Sequence, residues 1–453
     1  MDNTFEKKRY IWNKRNVLFP VILVLLSTCF FYYINSSIEE FHNWPTLKYK
    51  SGDSVSYLNS GKWFLGQVPL SQVEESVAIR PFFYSLILAS LEQIHPQAIQ
   101  AYQFALWLAQ IVIVYYCGIL ISSSSAASFF LSLICVVVLS PVGIALHALS
   151  ETTASFFIIL SFLFLLLYFK NKKRYVFILL YLFALSVCSV VKPIYFYAFI
   201  AGNIVSLALL KKFPGNVFIA VIFFLISVAP ISYQISIMKN NFDIARISCI
   251  DTYVINDYFL SLFKVIKSEK QKGQGGKSDI YIIQNIPKEK ITGQIKREGH
   301  RGTDIKVKKD FFQEIHDHPK EVIKMFFYLM GENTSQYSFF LPSEDKSIDF
   351  LYKNISIGQN ILLRSINIFS LFIFSFFFFV KNIFLEKEII NKHAIINFSF
   401  VTVILLTYLS TGITFWQGDR FMIPIYFISL IWLFFQLNTI FVFFRRAEEK
   451  ETT

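Results

Sequence analysis

Charge is scarce in this chain. Only 16% of its 453 residues are Asp, Glu, Lys or Arg, where a soluble protein carries about a quarter. A large soluble core would also dilute charge. Here, however, the apolar residues fall in runs of roughly 18 to 22, the length a helix needs to cross about 30 Å of hydrocarbon. The five cysteines form neither a disulfide framework nor a zinc-type spacing. Cys29, Cys117, Cys135 and Cys188 sit in apolar runs, where a cysteine behaves as a small hydrophobe, and Cys249 stands alone in a polar segment. No glycine-rich phosphate loop exists either. Gly273, Gly275 and Gly276 lie in a Lys/Gln-rich stretch with no strand before them, which excludes a nucleotide-binding fold on that motif. Nor is there an internal repeat, and nearly all ionisable residues sit at the ends of apolar runs. Both features argue against a transporter or flippase built from repeated halves.

What is present is apolar mass, with 54% hydrophobic residues and 52 Phe. The net charge of +12 suggests nucleic acid only until the cations are located. They cluster in short stretches between apolar runs, as the positive-inside rule expects, rather than on one soluble face. The chain therefore reads as an all-α, polytopic membrane protein with about ten spanning helices and both termini in the cytoplasm. Lys7, Lys8, Arg9, Lys14 and Arg15 hold the N-terminus inside. The first apolar run has no small-residue cleavage site after it and is expected to stay as an anchor. Spans are expected over residues 17–36, 99–121, 126–144, 152–169, 175–191, 194–210, 216–238, 361–380, 394–409 and 421–444. Residues 81–91 are apolar but too short to span, and are expected to lie in the outer interface. Counting them as a span would move the Lys170–Arg174 cluster and the Lys211–Lys212 pair outside. Three regions follow: a membrane module over 1–238, an outer domain over 239–359, and C-terminal helices over 360–453. The outer domain has nineteen Lys/Arg against sixteen Asp/Glu, and its 264–309 stretch reads as a mobile loop.

Four polar places stand at the outer ends of these spans. Gly52-Asp53-Ser54, with Tyr57 after it, offers a carboxylate that could act as a general base. Taken alone, the motif is more simply turn and helix-cap chemistry. Arg80-Pro81-Phe82 puts a guanidinium before a short apolar segment, where it could grip a phosphate bidentately or snorkel to headgroups. Glu151, in Ser150-Glu151-Thr152, is the only acidic residue between Glu92 and Asp243; favouring a helix dipole is its alternative role. Lys192-Pro193 and Arg420 with Pro424 each set a cation beside a proline at a helix start. Interfacial anchoring explains those two as well.

Taken in this order, the motifs resemble those of the GT-C glycosyltransferases, closest to the protein O-mannosyltransferases and the lipid A aminoarabinose transferases. The family pattern has an acidic residue and a Tyr in the first outer loop, matched by Asp53 and Tyr57. A basic-Pro motif opening a short interfacial helix is matched by Arg80-Pro81-Phe82. An acidic residue after a proline in the third helix is matched by Pro141 and Glu151, and later basic positions by Lys192 and Arg420. His318-Pro319 looks like the family's His-Pro stretch. Where many members carry a second first-loop acid this chain has Ser54, and where some carry an acid before the basic-Pro motif it has Ile79.

The resemblance implies an inverting transfer of a sugar from a polyprenyl-phosphate donor to a lipid, glycan or protein acceptor. Asp53 and Glu151 would be the catalytic carboxylates, and Tyr57, Arg80, Lys192 and Arg420 would bind substrate. No metal site is expected from clustered ligands, although Asp53 and Glu151 sharing a divalent cation stays open. No other cofactor is implied, and the partners are substrates and membrane lipids, not nucleic acid. The setting implied is a bacterial inner membrane with the site facing the periplasm. The alternative is a surface-polysaccharide polymerase or ligase that takes lipid-diphosphate oligosaccharides.

Overall fold

The computed structural model describes residues 14–36, 52–171, 175–210, 216–261, 291–335, 387–411 and 422–451, with residues 263–264 and parts of 350–365. Among the described residues the regular structure is helical, without a strand. In chain order the helices are α1 (Lys14–Ser36), α2 (Gly52–Phe64), α3 (Leu70–Ile79), α4 (Phe82–Ile94), α5 (Pro96–Ser122) and α6 (Ser125–Val136). Next come α7 (Leu139–Ala145), α8 (Ser150–Lys170), α9 (Val176–Val191), α10 (Phe196–Leu210), α11 (Asn216–Phe242) and α12 (Ile250–Val254). The last four are α13 (Ile291–Asp317), α14 (Pro319–Ser335), α15 (Lys387–Thr411) and α16 (Ile423–Glu451).

Seven of these carry a stretch long and apolar enough to cross a membrane, in α1, α5, α8, α10 with the turn before it, α11, α15 and α16. The count reaches eight if α6 and α7, which meet at 62°, form one broken span. Helix α9 has 16 residues, about 24 Å of rise, and α4 has 13, about 20 Å. Both fall short of the hydrocarbon thickness when straight.

Side-chain pairs fix the helix directions. Phe19 of α1 packs on Tyr115 of α5, and Phe31 on Phe104 and Trp107, so these two run antiparallel. Gln103 of α5 donates to the carbonyl of Leu149 and Gln110 to that of Thr152, so α5 and α8 run parallel. The Cys188 thiol of α9 lies 3.7 Å from the carbonyl of Ala154, which makes α9 antiparallel to α8. At the far end of the bundle Asn438 of α16 donates to the carbonyl of Ile121. The bundle therefore has two distinct ends. One collects the starts of α4, α5 and α8 and the end of α9; the other collects Ile121, Lys170 and the last turns of α16.

Two expectations need correcting. The helix expected over 126–144 is broken between Val136 and Leu139. The side-chain amide of Gln359 accepts from the Leu139 N–H at 2.9 Å and donates to the Val137 carbonyl at 2.9 Å. An inserted side chain of this kind replaces the helix's own hydrogen bonds and permits the bend. The second correction concerns 264–309: residues 291–309 belong to α13, kinked at Gly299, whose φ of 70° suits glycine. Residues 265–290 lie outside the described residues, as does most of the span expected over 361–380.

Helix α13 is polar yet ordered because it closes a small second core. Val307 packs there with Val73 and Val77 of α3, Met238 and Phe242 of α11, and Cys249. A charged network ties its rim. Arg246 donates to Asp251 and Thr252 at 2.7 Å each and pairs with Asp304 of α13. His300 meets Glu74 of α3 at 3.0 Å.

Candidate functional site

At the end of the bundle where α2, α4, α8 and α9 meet, charges that are far apart in sequence come together. Asp53 stands in the first turn of α2, where the helix dipole favours a carboxylate. Ser56 and Tyr57 follow three and four positions later on the same face. Arg80 lies in the extended link between α3 and α4, because Pro81 cannot continue a helix and biases the residue before it to extended backbone. Its guanidinium pairs with Asp53, donates from Nε to Ser56 Oγ at 2.7 Å, and sits 4.6 Å above the ring of Tyr57. A cation over an aromatic face, shielded from water, is held more firmly than one at an open surface.

Tyr57 links this pair to a second one. Its phenol donates to Ser150 Oγ at 2.9 Å, and its ring packs edge-on against Tyr84 at 4.8 Å. The hydroxyl of Tyr84 accepts from Gln103 at 2.8 Å, which fixes α4 to α5. Beside Ser150, Glu151 opens α8 fully buried and meets Lys192 Nζ at 3.2 Å. Lys192 closes α9, where its extended backbone and Pro193 end the helix. Burial pushes the Tyr57 phenol above its ordinary value, Arg80 opposes that rise, and Glu151 and Asp53 add to it.

The arrangement is graded in access. The Asp53 side chain keeps 32% of its exposure, Arg80 11%, Lys192 11% and Glu151 none. Asp53 is the carboxylate an incoming molecule can reach, and Glu151 is the one it cannot reach without motion. Each carboxylate already faces a protein cation. Among the described residues no group of three His, Cys, Asp or Glu is placed to hold a metal ion.

The structure gathers Asp53, Tyr57, Arg80, Glu151 and Lys192 into one constellation. Arg420 lies outside the described residues. Tyr57, expected to bind substrate, is buried, with its hydroxyl committed to Ser150 and its ring beneath Arg80. Sequence reasoning missed the roles of Ser56 and Ser150. Ser56 carried a signal, being one helical turn after Asp53; Ser150 carried none, since its partner is 93 positions away. Compared with known protein families, with curated proteins and with solved structures, the chain matches none.

Proposed function

We propose that this protein is an integral membrane glycosyltransferase that moves a sugar from a polyprenyl-phosphate donor to a lipid, glycan or protein acceptor. The observation that carries the reading is the convergence of two carboxylate–cation pairs, Asp53–Arg80 and Glu151–Lys192, at one end of a bundle of apolar helices. Ionisable side chains among apolar membrane helices are costly even when paired, and they mark functional sites.

The chemistry runs as a single displacement. The acceptor oxygen or nitrogen attacks the anomeric carbon, and the bond from that carbon to the phosphate oxygen breaks. The electron pair leaves on polyprenyl phosphate, and the acceptor's proton passes to the Asp53 carboxylate. Arg80, with Lys192 and Arg420, offsets the charge that grows on the phosphate, an effect largest in a partly dehydrated site. A donor phosphate competes with Asp53 for the Arg80 guanidinium, which frees the carboxylate to take the acceptor's proton. Glu151 pairs with Lys192, and the Tyr57 ring lies against the Arg80 guanidinium.

The topology belonging to this reading has ten spans. To the seven long helices it adds the bent α6–α7 pair, the short α9, and the apolar residues 361–380. Helices α2, α3 and α4 lie at the outer interface, both termini are cytoplasmic, and the site faces the periplasm across an inner membrane. The Lys and Arg clusters between spans support that orientation.

Purified protein in vesicles, offered lipid-monophosphate sugars and lipid-diphosphate oligosaccharides in parallel, tests the donor class. Transfer from the monophosphate alone is expected. Transfer from the diphosphate alone would contradict the reading and favour a polysaccharide polymerase or ligase.

A further inference from the structure

The link that carries Arg80 is non-helical backbone wedged between helices, and every polar group of residues 78–82 that the link must satisfy has a partner. The Ala78 carbonyl accepts from the Cys249 N–H at 2.9 Å, and the Ile79 carbonyl accepts from Ser248 Oγ at 2.8 Å. The Arg80 N–H donates to the Ser76 carbonyl at 2.9 Å, and the Arg80 carbonyl accepts from Ser60 Oγ at 3.2 Å. Pro81 has no N–H, and its carbonyl accepts from Ser85 Oγ at 2.8 Å. The Phe82 N–H donates to Gln234 Oε1 at 2.9 Å. Gln234, fully buried in α11, uses its other end to donate to the Ile247 carbonyl at 2.8 Å.

Satisfying buried backbone is obligatory, but the origin of the partners is not. On the side away from α2 they come from one short stretch, residues 247–249, and from the Gln234 side chain that grips it. That stretch is in turn held to α13 by Arg246, through Asp251, Thr252 and Asp304. The guanidinium of Arg80 is thus aimed by α2, while its backbone is aimed by the module that follows α11.

We propose that Gln234 and Ser248 are positioning residues for Arg80. They form a two-point clamp through which the module of α12 and α13 sets where the guanidinium stands for the donor phosphate. This rests on the glycosyltransferase reading. Neither residue touches substrate. Removing either loosens the Arg80 link without removing the charge, so donor recognition weakens while acceptor recognition does not.

The experiment is steady-state transfer by full-length protein in nanodiscs, with binding of polyprenyl phosphate as the probe for the donor side. Ser248→Ala and Gln234→Leu should raise donor KM and the polyprenyl phosphate Kd about three- to tenfold, the effect of one or two net hydrogen bonds. Acceptor KM should not move, and Ser248→Thr, which keeps the hydroxyl, should restore the donor values. A purely structural role would lower the yield of folded protein and its melting temperature, leaving donor KM per folded molecule unchanged. Arg80→Gln distinguishes the clamp from the functional reading. If it weakens donor binding while Ser248→Ala and Gln234→Leu do not, the clamp is wrong and the functional reading stands. If Arg80→Gln binds polyprenyl phosphate as wild type does, or wild type binds none, the functional reading fails and the clamp falls with it.

Discussion

At the scale of single residues, the buried pair Glu151–Lys192 is the strongest constraint in the site. Two ions in a dry setting gain little over apolar neighbours, but removing one partner strands the other. Glu151→Ala should therefore destabilise the protein by about 3–5 kcal/mol, read as lower melting temperature in detergent. Glu151→Ala combined with Lys192→Met should recover most of that loss; no recovery would mean the two side chains do not depend on each other. Arg80→Lys keeps a charge but loses the fork that reaches Asp53 and Ser56 together. Transfer should drop about ten- to a hundredfold, and an unchanged rate would reduce Arg80 to a headgroup anchor. Arg80, Glu151 and Lys192 were legible in the sequence because a charge beside an apolar run stands out, and Asp53 because it sits in Gly52-Asp53-Ser54 with Tyr57 after it. What the sequence could not give was their pairing. Asp53 with Arg80 and Glu151 with Lys192 are matched by helix contacts, and nothing in the local pattern around Tyr57 names Ser150.

At the scale of elements, the close approach of α2 and α4 is set by a glycine. A Cβ at Gly61 would stand 2.1 Å from the Ser85 carbonyl oxygen, which is backbone and cannot swing aside. Gly61→Ala should cost about 1–3 kcal/mol and shift Arg80 with α4, lowering transfer along with stability. Stability without loss would show that the two helices can separate freely. The second core has its own pH signature. Burial against Phe242 lowers the His300 pKa below its ordinary 6.5, and the attraction of Glu74 and Glu75 on α3 only partly offsets this. The unfolded chain thus binds a proton more readily than the folded one. Stability of this module is full above about pH 6.5 and is lost as pH falls through the interval between that value and the folded pKa. His300→Phe should flatten this dependence in thermal unfolding between about pH 7.5 and 5; an unaltered slope would exonerate His300. The positions of the long apolar helices were readable from run length, whereas the α6–α7 break was not. Pro141 sits there in plain sight, but Gln359, the side chain that accommodates the break, comes from 220 residues away.

For the molecule as a whole, the alternation of helix directions puts the site at one end and Ile121, Lys170 and the close of α16 at the other. On a background without the five native cysteines, a cysteine at Gln67 should label with an impermeant thiol reagent in intact cells. Cysteines at Ser123 and Asn171 should label only after permeabilisation. Labelling of Ser123 or Asn171 from outside would invert the topology. That the chain would form several apolar helices long enough to cross a membrane was legible from run lengths. The order in α13 was not, since its polar sequence folds only because α3 and α11 offer it a partner surface. If the gathered charges transfer a sugar with Asp53 as base, sugar transfer from a lipid-monophosphate donor should depend on that carboxylate. With wild type and Asp53→Asn compared at equal amounts of folded protein, wild type should transfer and the variant should lose at least about a hundredfold. Near-normal transfer by Asp53→Asn would remove Asp53 from the mechanism.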